Sequence, residues 1–135
     1  FKVAAAQGSL AVPNAVVLAV CCNLLVCLGV RRAMAARDNA GKILSAYLPI
    51  AFFVLCGFEH CVANMYYISA GLMAKTVPAY AQQAAAMGVD LSALTVPSFL
   101  LNNLLPVTIG NILGGAALAC LMWFVHLRGS KPAAV

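Results

Sequence analysis

The stretch Phe53–Ile68 reads FVLCGFEHCVANMYYI. Glu59 and His60 stand side by side in it, inside an apolar run from Ile43 to about Met73. Ionisable groups at membrane depth are expensive and usually face a bundle interior or a pathway. The run is about 31 residues long, against the roughly 20 that a membrane span needs. One long tilted helix would fit it. A helix broken near residues 57–60 fits better, because Gly57 is flexible and the charges follow it directly.

The rest of the chain makes lipid the natural solvent. Of 135 residues, 64% are hydrophobic and 8% charged; a soluble domain carries about 25% charged residues. The net charge of +5 bears on membrane orientation rather than nucleic acid, since the basic residues are scattered and form no aromatic-interleaved face. Cys21, Cys22, Cys27, Cys56 and Cys120 lie within apolar runs and Cys61 follows His60. There such residues act as small hydrophobes, and no Cys-x-x-Cys or His spacing calls for a metal. The chain begins at Phe1 and carries no signal-peptide pattern; the simplest reading is a piece of a longer protein.

A first span is expected at about Val12–Val30, with Pro13 in its first turn and Asn14 and Asn23 as its polar side chains. Arg31–Lys42 reads as a charged loop. Lys75–Leu105 is more polar; it is expected to hold a short surface helix, with ALTVPSFLLNNLL lying on or dipping into the membrane. A third span follows at about Val107–Leu127, with Trp123 and His126 as interfacial anchors. Arg31, Arg32, Arg37 and Lys42 in the first connection share a side with Arg128 and Lys131 of the tail. Lys2 and Lys75 lie on the other. That bias puts the first connection and the C-terminus in the cytoplasm.

Glu59 needs hydrogen-bond donors. Asn64 is about one turn further on, and Asn23 of the first span is expected at similar depth. In the plainer reading such a node only fixes helix packing. His60 invites more, because histidine changes charge near neutral pH. A second motif is NNLLPVTIGNILGG, Asn102–Gly115. Pro106 starts or kinks the span, and Thr108 and Asn111 share a helix face. Gly110 and Gly114 form a small-xxx-small pair, which usually means packing.

Together GFEHCVANMYYI, NNLLPVTIGNILGG and the earlier CCNLLVCLGV resemble the formate/nitrite transporter family of pentameric anion channels. The resemblance covers nearly the whole chain. It implies an all-α integral membrane protein of aquaporin-like, inverted-repeat fold. This chain would be the second, C-terminal three-span repeat, with its middle span interrupted at Glu59–His60. It implies a pore in each protomer, with His60 as the central histidine, Phe53 as one of two hydrophobic constrictions, and Asn111 and Thr108 along the pathway. Glu59, Asn23 and Asn64 would be the supporting network. It implies no cofactor and no enzyme activity. The expected function is pH-dependent passage of a small monovalent anion such as formate or nitrite, with protons, across the cytoplasmic membrane. The chain departs from the family at two places. Gln7 stands where a lysine is usual, unless Lys2 substitutes for it, and Arg31 stands where tryptophan is common.

Other readings stay open at this point. The chain could be a haem-bearing anchor of a redox enzyme using His60 and His126, although the two histidines fall at different depths. An aquaporin-like channel for neutral solutes would lack its Asn-Pro-Ala signatures here. A truncated gene would leave a purely structural remnant.

Overall fold

A computed structural model describes residues 2–128; Lys131, counted above in the tail, lies outside them. The described residues form helices and their connections. Helix α1 runs Lys2–Gly8, α2 Val12–Ala35, α3 Asn39–Leu55, α4 Cys61–Lys75, α5 Pro78–Ala86 and α6 Leu105–Met122. Wider π-helical turns, Ser98–Leu104 and Trp123–Leu127, extend α6 at its two ends.

Helix α2 has 24 residues and the rod Ser98–His126 has 29, both apolar enough to cross a bilayer. Helix α3 has 17 residues, about 25 Å at 1.5 Å per residue, and falls short of a 30 Å core alone. It shares the middle span with α4. The chain changes neighbours across that break: α3 packs on α2, whereas α4 packs on α1, α5 and the π-helical turn before α6. The largest contact in the molecule is α2 against α6.

The α2–α6 contact rests on small residues. Ala15, Ala19 and Cys22 of α2 are fully buried. A Cβ on Gly110 would come 2.6 Å from both Ala19 Cβ and the Val16 carbonyl oxygen, and one on Gly114 would strike the Val20 carbonyl. The two backbones therefore approach as glycine and alanine allow. Gly29 does the same for α3, where a Cβ would sit 3.0 Å from the Pro49 ring.

The break is a Schellman ending. Helix α3 stops at Leu55, and Gly57 takes φ +66°. The Phe58 amide donates to the Phe53 carbonyl at 3.0 Å and the Gly57 amide to the Val54 carbonyl at 3.2 Å. Phe58 then packs edge-on against Phe52, ring centroids 6.5 Å apart, which is the apolar contact this motif favours. A left-handed residue with a Cβ costs roughly 1–2 kcal/mol, and nothing lies within 4 Å of where that Cβ would be. Gly57→Ala is therefore expected to lower stability by about 1 kcal/mol through backbone strain alone, seen as a lower unfolding midpoint in detergent. An unchanged midpoint would count against the strain argument.

The structure departs from the sequence reading in three places. Arg31–Lys42 is mostly helix: α2 continues to Ala35 and α3 starts at Asn39. Ala, Arg and Met are good helix formers, and Asp38 caps α3 by accepting from the Gly41 amide at 2.7 Å. The charges had suggested a loop, yet only Ala36–Asp38 connects the helices. The polar connection does hold a short helix, α5, but Ser98–Leu104 forms the first turns of the third rod, which begins well before the expected Val107. Helix α1 was not anticipated.

In the polar connection, α5 also ends in a Schellman motif at Gly88, φ +68°. Asp90 then accepts from the Ser92 amide and hydroxyl, bonds that hold its carboxyl below the usual carboxylate range. Lys75 Nζ donates to the Leu91 and Leu94 carbonyls at 2.8 and 3.0 Å, tying this connection to the end of α4.

Candidate functional site at the helix break

Glu59 is 2% exposed. Its Oε2 accepts from the side-chain amides of Asn64 and Asn103, the latter at 3.2 Å. Asn64 also donates to Asn103 Oδ1 at 2.8 Å, and Asn103 donates to the Gln7 backbone carbonyl at 3.0 Å. These donors are neutral amides drawn from α4 and the π-helical turn. A buried carboxyl without such donors would be costly, so the cluster fixes where the broken helix lies against its neighbours.

Asn111 is 6% exposed and forms a second knot beside the first. Its amide donates to the Ala19 carbonyl of α2 at 2.9 Å and to the Glu59 carbonyl of the break at 3.0 Å. Its Oδ1 accepts from the Cys61 amide at 3.0 Å. The first amides of a helix have no partner within it, so Asn111 caps α4 from outside. Asn23 donates to the Asn111 backbone carbonyl. Gly115 leaves room for it, since a Cβ there would lie 2.8 Å from Asn23 Nδ2.

His60 sits at the start of α4 in an extended conformation, φ −121°. Its ring stacks on Phe53, with centroids 5.7 Å apart and planes 27° apart. Nδ1 is buried and unpaired among the described residues. Phe53 borders two cavities. One, about 300 Å³, is lined by Val26, Ile50, Val62, Ala63 and His60. The other, about 260 Å³, is lined by Gln7, Gly57, Phe58 and Tyr67 among others. Phe53 and Ala63 thus border both an apolar cleft that holds the imidazole and a second cleft lined by the Gln7 carboxamide.

The expected residues divide accordingly. Glu59 and Asn64 are in direct contact. Asn23 reaches the break through Asn111, not Glu59. Thr108 spends its hydroxyl on the Leu104 carbonyl at 2.7 Å, one turn back in its own rod, and lines neither Phe53 cavity. Asn103, which the sequence reading does not single out, stands in the NNLLPVTIGNILGG stretch and joins Glu59. The adjacent asparagines were its signal. Gln7 lines the second cavity, while Lys2 borders a separate cleft with Asp90. His126 lines a groove with Arg31, apart from His60, which leaves the two histidines no shared haem.

The break thus carries an imidazole and a phenyl ring that border two cavities in an apolar, membrane-type bundle. The chain belongs to the formate/nitrite transporter family, whose model it matches over residues 1–125. It is 44% identical over 111 residues to a probable formate transporter of Methanothermobacter thermautotrophicus, covering 82% of this chain and 34% of that protein. It is 40% identical over 118 residues to the formate channel FocB of Escherichia coli K12, covering 85% of this chain and 42% of that protein. A pentameric formate channel solved with formate bound superposes with a TM-score of 0.80 at 33% identity, covering 90% of this chain and 49% of the channel chain. The chain thus spans less than half the length of each of these relatives.

Proposed function

We propose that the chain is the second of two three-span repeats in a channel for small monovalent anions such as formate or nitrite. The reading rests on one observation above all: the Phe53 ring, stacked on His60, borders two cavities at a break in a membrane helix. A bare charge crossing such an apolar constriction costs several kcal/mol or more. A proton taken up beside His60 turns formate into its neutral acid, which passes the ring. His60 itself is the N-cap residue of helix α4, and a helix N-terminus favours an anion before it is protonated.

In this reading Glu59, Asn64, Asn103, Asn111 and Asn23 brace the break, and Phe53 and His60 meet the permeant species. The other repeat supplies the opposite pore wall and second constriction. The protein assembles as a homopentamer in the cytoplasmic membrane with its C-terminus inside, as its basic residues direct. Gln7, a neutral side chain beside the second cavity, draws anions in less strongly than a cation there would.

His60→Phe is expected to abolish the pH-dependent switching of formate flux into vesicles holding the full-length protein. Wild-type flux with a wild-type pH response in this variant would overturn the role given to His60.

A further inference from the structure

Away from the break, a groove of about 440 Å³ lies between the far ends of α2 and α6. Leu118, Ala119, Met122 and Trp123 form its apolar wall, and Arg31 and His126 border it. It takes no part in the pore reading. Its walls suit a hydrocarbon chain, and its charge is one-sided. Arg32 follows Arg31 in the last turns of α2. Arg128 lies near the end of the rod, its guanidinium 4.8 Å from the centre of the Phe124 ring. Asp38, the acid closest along the chain to Arg31, is engaged in capping α3. Trp123 has the amphipathic ring that favours the headgroup level.

We propose that this groove seats one acyl chain of an anionic phospholipid, with the phosphate on Arg31. Basic pockets between membrane helices on the cytoplasmic side suit such headgroups. Here the apolar run of α2 gives way to Arg31 at the groove itself, so chain and phosphate are met at the right relative depth. A zwitterionic lipid would bring the same phosphate but set a choline cation beside Arg31, Arg32 and Arg128, which weakens its hold. Free phosphate would leave the apolar wall empty.

The test uses the purified full-length protein, delipidated in detergent and followed by native mass spectrometry. Phosphatidylglycerol, phosphatidylcholine and inorganic phosphate are the three probes. Phosphatidylglycerol is expected to bind saturably and more tightly than phosphatidylcholine. Arg31→Gln should weaken it about fivefold, the effect of one basic residue near a membrane surface. Arg31→Lys should retain most of the binding. Ala119→Phe, at an exposed position of the wall, should block it. Equal affinity for both lipids, with no loss in Arg31→Gln, would overturn the proposal. So would inorganic phosphate that displaces the lipid fully while Ala119→Phe has no effect, which would mean an anion site alone. If Ala119→Phe splits the oligomer without loss of lipid, the groove is a subunit seam and the proposal fails.

Discussion

Replacing Asn111 by leucine is expected to cost about 3 kcal/mol or more and to leave little folded protein. The side chains are of similar size, so the loss comes from hydrogen bonding. Asn111 holds the Cys61 amide and the carbonyls of Ala19 and Glu59. A buried polar group stripped of its partner costs about 1–3 kcal/mol. The Ala19 carbonyl retains its place in the α2 ladder, but the Cys61 amide and Glu59 carbonyl lie at a break with no ladder to fall back on. Asn111→Asp is expected to be as harmful. It keeps an acceptor for Cys61 but turns a carboxylate oxygen toward two carbonyls now 2.9 and 3.0 Å from the amide nitrogen. Unfolding midpoints in detergent decide the matter, and a wild-type midpoint in either variant would remove Asn111 from the centre of the fold.

Gly114→Val should be comparably severe for a different reason. Its Cβ would strike the Val20 carbonyl, and backbone cannot swing aside as a side chain can. Overpacking typically costs 1–3 kcal/mol. Here separating α2 from α6 would also pull Asn111 away from Ala19, so about 3 kcal/mol or more is expected. The neighbouring glycine provides the control. A Cβ on Gly115 meets the amide end of Asn23 at 2.8 Å, and that side chain can move, so Gly115→Ala should cost less than about 1.5 kcal/mol. Equal losses at the two positions, measured by the same unfolding curves, would show that close backbone approach is not what Gly114 supplies.

Much of this was legible in the residues. Gly57 before two ionisable groups marked an interruption, because both backbone freedom and buried charge disfavour a continuous membrane helix there. The spacing of Glu59 and Asn64 anticipated their contact, and the glycines after Pro106 announced a tight helix seam. Asn103 was harder to read. It lies in a π-helical turn, whose wider winding removes the 3.6-residue phase by which helix faces are assigned. Arg31–Ala35 is helical because its charged residues are also good helix formers. Residues 2–8 of helix α1 are too few to show a period, and they are held by Asn103 and by packing against α4.

The bonds around Asn111 have a consequence for biosynthesis. Its partners lie 92, 52 and 50 positions earlier in the chain. None of these bonds can form until the ribosome has passed the third rod, although the interruption itself was made much earlier. The Schellman turn at Gly57 closes with partners only three and five residues apart and can set as soon as it emerges. The nascent chain therefore carries a shaped but unfastened gap while the residues between the break and the third rod are made, and the fastening arrives with that rod.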